Sequence, residues 1–115
     1  MKISLPLPQD KKLTVIFRIE AGCLGPNGND HIEEFCKYAQ IKVANIDSGY
    51  IHWEIVPRLN KSAAEIQYKI NNKNLTCEQA ETYLEKFATN LDEFEDNFNG
   101  ELIHLIEEYT KKISD

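Results

Sequence analysis

The stretch that decides the fold is LTVIFRIEAGCLGPNGNDHIEEFCKYAQ, residues 13–40, where a two-residue alternation gives way to a helical one across a glycine-rich loop. Leu13, Val15, Phe17 and Ile19 point one way, and Thr14, Ile16, Arg18 and Glu20 the other. Successive side chains of a strand alternate between faces, so the pattern reads as a half-buried β-strand. Beyond the loop, Ile32, Phe35, Cys36, Ala39 and Val43 recur at the spacing of one helix face. Asp30 offers an N-cap, and Glu33 three residues later completes a capping box. The helix is expected to end near Gln40 or a few residues beyond. The alternative is a short strand over Ile41 to Ile46, turning at Asp47-Ser48-Gly49.

Downstream, Tyr50 to Val56 alternates again, with Ile51, Trp53 and Ile55 inward and Tyr50, His52 and Glu54 outward. Pro57 ends this strand or marks an edge. Ala64 to Ile70 is a further strand, and the link Arg58 to Ala63 is short enough for an antiparallel hairpin. Asn71-Asn72-Lys73-Asn74 reads as a tight polar turn, because Asn tolerates positive φ. Thr76 with Gln79 caps the next helix, and Leu75 is placed to staple against Ala80. Cys77, Ala80, Leu84, Phe87, Leu91, Phe94 and Phe98 then form a stripe. Asn99-Gly100 is expected to break it, before Leu102, Leu105, Ile106, Tyr109 and Ile113 restart a second helix.

Each strand has one apolar and one polar face, which argues for helices on a single side. The expectation is a single α+β domain over residues 1–115, with residues 1–12 an irregular lead-in broken by Pro6 and Pro8. Its architecture is a two-layer sandwich, a mostly antiparallel three- or four-stranded sheet with helices on one face, in the order β-α-β-β(-β)-α-α.

At 115 residues there is room for one core and no second one. The formal net charge of −6 argues against general binding to nucleic acid or to an anionic membrane, both of which need clustered Lys and Arg. Three cysteines, Cys23, Cys36 and Cys77, are odd in number and show no CxxC, so no disulfide framework is expected. With no long apolar run at the N-terminus, neither a signal peptide nor a membrane anchor is expected. These features together predict a cytoplasmic chain with reduced thiols.

The loop between residues 22 and 30 is the one segment that invites a ligand. Gly22, Gly25 and Gly28 place free backbone N–H groups near a helix N-terminus, and Cys23, Asp30 and His31 stand beside them. The spacing is neither the dinucleotide fingerprint nor a P-loop, and Asp30, Glu33 and Glu34 would repel a phosphate. Turn geometry alone explains Pro26-Asn27-Gly28 as well. Cys23 near a helix N-terminus, with His31 as a base, is a conceivable reactive pair that lacks an orienting third group. No metal site is expected, because Cys23, His31 and Cys36 are irregularly spaced and no fourth ligand is signalled. No cofactor and no catalytic residue are signalled elsewhere.

A second candidate is a surface. Arg18, Tyr50, His52 and Glu54 would share the polar sheet face, and Phe94 and Phe98 supply more aromatic area than a small sheet readily covers. The function these features favour is a small acidic, non-catalytic protein-interaction or regulatory module with a protein partner or a second copy of itself. The alternative is a small-ligand-binding or enzymatic domain using the Gly22 to Asp30 loop. No motif matches a functional family.

Overall fold

The computed structural model describes residues 5–60 and 62–114; residues 1–4 of the lead-in, Lys61, Asp115 and the side chains of Ile113 and Ser114 lie outside the described residues. A 3-10 turn at Gln9–Lys11 leads into β1, Leu13–Ile19, and a second at Ala21–Leu24 leads into α1, Gly28–Val43. Then come β2 (Ile51–Pro57), β3 (Ile66–Ile70), β4 (Lys73–Leu75), α2 (Cys77–Glu85) and α3 (Leu91–Ser114). The strands form one sheet in the order β2-β1-β3-β4. The result is a two-layer α+β sandwich, as the alternating strands require.

The sheet is mixed. β1 pairs in parallel with β2, from Leu13 opposite Ile51 to Ile19 opposite Pro57, and antiparallel with β3. The expected hairpin between the second and third strands does not form, because β1 lies between them. The cause is α1, whose 16 residues span roughly 24 Å and carry the chain back to the start of β1. β2 therefore begins beside Leu13, and residues 58–60 and 62–65 lie across the carboxyl end of β1 on the way to its other side. Hydrogen bonds hold that crossing down, from the Arg58 N–H to the Ile19 carbonyl (2.8 Å) and from the Arg18 N–H to the Glu65 carbonyl (2.7 Å).

Leu13, Val15, Phe17, Ile19, Ile51, Trp53, Ile55 and Tyr68 belong to one buried cluster with residues of all three helices. Trp53 anchors it: its ring stacks on Phe94 at 5.4 Å and on Phe98 at 4.1 Å, and its indole N–H donates to the Ile46 carbonyl at 2.8 Å. Tyr83 fastens α2 to the starts of β1 and β2, its hydroxyl accepting from the Leu13 N–H and donating to the Tyr50 carbonyl.

Several boundaries depart from the sequence expectation. α1 starts at Gly28 after Asn27, with no side-chain cap bond, so Asp30 is a first-turn carboxylate and not the cap. α1 runs to Val43 and turns fill the segment up to Tyr50, leaving no strand at Ile41 to Ile46. Ala64 is exposed and β3 begins at Ile66. Asn71 and Asn72 both take positive φ, 49° and 67°, which tightens the turn enough for Lys73–Leu75 to pair back as β4. The Thr76–Gln79 capping box forms as read, with reciprocal bonds of 3.1 and 2.9 Å.

The helical break falls at residues 86–90 and not at Asn99-Gly100. Ala88 adopts a positive φ of 55°, and the Asn90 carboxamide accepts from the Glu93 N–H to start α3. α3 passes through Gly100 because Phe94, Phe98, Leu102, Leu105 and Tyr109 bury one continuous stripe. That burial outweighs the roughly 1 kcal/mol a helical glycine costs.

β2 is an edge strand, and its free side is closed by a side chain. The Gln40 carboxamide donates to the Trp53 carbonyl at 2.6 Å and accepts from the Ile55 N–H at 2.8 Å, taking the place of a neighbouring strand's peptide group. Pro57 has no N–H to offer at the end of the same edge.

α1 and α3 are cross-linked by two tyrosine–glutamate bonds. Tyr38 donates to Glu108 at 2.7 Å and Tyr109 donates to Glu34 at 3.1 Å. The bond from Tyr38, with smaller help from His104 and Lys42, holds the Glu108 carboxyl below its ordinary value of 4.5. The folded pKa lies below the unfolded one, so this contribution is present above 4.5 and lost as pH falls through the folded value. Thermal melting followed against pH is therefore expected to show an acid-side loss of stability that is smaller in Tyr38→Phe.

Candidate functional site

The crossing between β2 and β3 brings distant parts of the chain together at the carboxyl end of β1. There they enclose a cavity of about 320 Å³. Phe17 and Ile19 from β1 and Leu102 and Ile106 from α3 give it an apolar interior, and Cys23 comes from the turn that follows β1. Arg58, Glu20, Glu65 and Asn99 bring charge and polarity to its lining. A concave apolar site with a few convergent polar groups is what small ligands require.

The arginines here already hold partners. Arg58 donates to Glu20 Oε1 at 2.6 Å, a pair left partly open to solvent, and its Nε–H donates to the Ala63 carbonyl at 3.3 Å. Arg18 donates to the Ala64 carbonyl at 2.7 Å and to Gln67 at 2.8 Å, and Gln67 in turn donates to Asn74.

The glycine loop is divided by the fold. Cys23 is exposed and lines the cavity, but His31 lies on the first turn of α1 against the Tyr109 ring, 6.4 Å between centroids. Of the two, only Cys23 lines the cavity. Gly28 has a structural duty, since a Cβ there would overlap the Ala21 carbonyl. Gly25 takes a φ of +96° to end the Ala21–Leu24 turn, and Gly22 meets nothing. Asp30 is exposed in the first helical turn. Cys36 is buried on α1, and burial pushes its thiol up to about 11, with Glu33 adding to the effect. Among the described residues, no three His, Cys, Asp or Glu side chains converge as metal ligands.

The proposed interaction surface is also divided. Arg18, His52 and Glu54 lie on the face of the sheet opposite the core, with His52 3.7 Å from Glu54. Tyr50 precedes β2 and stacks on Phe87 at 4.3 Å, away from that face. Phe94 and Phe98 are core residues, closed off from any partner by their stacking on Trp53. They border a second hollow of about 500 Å³ with Tyr50, yet expose almost nothing to it.

A third concavity escaped the sequence reading. Between α1 and the free edge of β2 runs an apolar groove of about 660 Å³, lined by Cys36, Gln40, Ile55 and Pro57. Ile41 and Leu59 flank it, 74% and 88% exposed. Ile41 was legible as an apolar residue on the wrong face of α1, and Leu59 as one in a polar link. Glu33 and Lys37 complete the lining from successive turns of α1.

No protein-family model matches the chain, and comparison with curated proteins and with solved structures gives no significant match. Among the described residues, no helix is long and apolar enough to cross a membrane.

Proposed function

We infer that this chain is a non-catalytic protein-interaction module of the cytosol, working as a homodimer through the groove between α1 and β2. One observation carries the reading: Ile41 and Leu59, among the most exposed large apolar side chains described, flank the same groove. Single exposed apolar residues are ordinary, but a paired set on one concave face marks a binding surface.

A second copy fits the charges. Glu33 and Lys37 stand one turn apart on α1. In an antiparallel two-fold packing of α1 centred near residue 35, each Glu33 would face the other copy's Lys37. Gln40 occupies the β2 edge, so the contact is made by side chains and not by a continuous sheet. The net charge of −6 argues against general binding to nucleic acid or anionic lipid.

Sedimentation equilibrium across a concentration series tests this. The wild-type chain is expected to dimerise, and Ile41→Glu with Leu59→Glu to weaken the dimer by about a hundredfold or more, given the apolar area lost from both copies. Both positions are exposed, so circular dichroism is expected to be unchanged. A wild-type chain that stays monomeric at high micromolar concentration removes the homodimer.

A further inference from the structure

We propose that the cavity at the carboxyl end of β1 is a binding site for a small amphipathic monocarboxylate, with Arg58 as its anchor and Glu20 as the built-in competitor. This site is separate from the α1–β2 groove and stands or falls independently of the dimer.

The interior supplies the apolar half of the recognition. Phe17, Ile19, Leu102 and Ile106 surround a space of about 320 Å³, enough for roughly ten non-hydrogen atoms. The polar half is written in the Arg58–Glu20 pair. Glu20 Oε1 lies 2.6 Å from the Arg58 guanidinium, so this guanidinium already pairs with a carboxylate. The planar guanidinium fork matches carboxylate geometry better than an ammonium does.

Glu20 is poorly secured as that carboxylate. It sits just beyond β1, and its side chain is 48% exposed, so solvent screens the pair and its release loses little. An incoming carboxylate with an apolar body keeps the charge pairing and adds burial that Glu20 cannot provide. The charge count sets the ligand class. Glu65 lines the cavity too, which disfavours ligands of higher negative charge such as phosphates and dicarboxylates. Cys23 takes no chemical part; as an exposed thiol in the cavity lining it reports occupancy.

The test uses octanoate as probe and octanol as its uncharged counterpart. Alkylation of Cys23 by iodoacetamide is followed by peptide mass spectrometry, with exposed Cys77 on α2 as internal control. Octanoate is expected to slow alkylation of Cys23 severalfold and leave Cys77 unchanged, while octanol protects less. Glu20→Gln is expected to lower the octanoate concentration for half-protection by about tenfold, by removing the competitor. Arg58→Gln is expected to abolish the preference of octanoate over octanol. The proposal is overturned if octanoate leaves Cys23 unprotected or slows both thiols alike. Equal protection by octanol in the wild-type chain overturns it as well, as does a Glu20→Gln variant that binds no tighter. Glu20 is partly exposed and its loss leaves the core intact, so that variant keeps the test decisive even where Arg58→Gln is unstable.

Discussion

Replacing Gly28 with alanine is expected to destabilise the fold by about 3 kcal/mol, a large part of what holds a domain of this size together. The added methyl would overlap the backbone carbonyl of Ala21, and backbone cannot rotate away as a side chain can. Relief requires the Ala21–Leu24 turn to separate from the start of α1, and with it Leu24, which is buried in the core. Gly22→Ala six residues earlier is the matched control. Its Cβ meets nothing within 4 Å, so the change is expected to be neutral, or stabilising by about 0.5 kcal/mol through the unfolded state. Urea unfolding of the two variants measures the difference directly. Equal midpoints would show that the glycines of this loop serve something other than close packing.

The second large effect belongs to Trp53→Ala, expected to cost about 4 kcal/mol. Trp53 is among the largest fully buried side chains and stacks on two phenylalanines of α3 at once. Its removal opens a cavity between sheet and helix that neither ring can fill without leaving its rotamer. It also deprives the Ile46 carbonyl of its indole donor. Trp53→Phe separates the two losses: it keeps most of the packing and forfeits the hydrogen bond, for an expected cost of about 2 kcal/mol. Trp53 is the sole tryptophan of the chain, so Phe94→Leu and Phe98→Leu, read through its fluorescence, report the same stack from the other side. Trp53→Ala at wild-type stability would mean that this stack is not the centre of the core.

Local structure was legible because local chemistry set it. The alternation from Leu13 to Ile19, the apolar face from Ile32 to Val43 and the Thr76–Gln79 box each follow from side chains a few residues apart. Strand direction was not legible in the same way. An alternating pattern reports which face of a strand is buried and says nothing of which way its neighbour runs. β1 and β2 are parallel and still leave one face uncovered, because the crossover helix and α3 both pack on the other. The helical break was missed for a related reason: Ala88 carries no mark of the left-handed conformation it adopts, whereas Gly100 carries the mark and does not need it.

The candidate sites show the same division. Cys23 was picked out from its place in the loop and does line a cavity. Arg58 and Glu65 lie far along the chain and meet Cys23 through the crossing over β1, while Leu102 arrives with the packing of α3. Phe94 and Phe98 looked surplus because the area of the sheet was judged without Trp53, which consumes both. Leu59 stands out as an apolar residue in a polar link, yet nothing in the sequence pairs it with Ile41, because the groove that joins them exists only once α1 packs on β2.

The Gln40 amide ties two events that are independent in most sheets. It belongs to α1 yet supplies hydrogen bonds to the outermost strand, so any fluctuation that lifts α1 from the sheet strips β2 of its cover in the same motion. The dangerous species for this chain is then a partly opened molecule, with sheet and α3 still assembled and a bare edge available for strand exchange. In concentrated solution the expected route to association is therefore the opening of one helix, ahead of global unfolding.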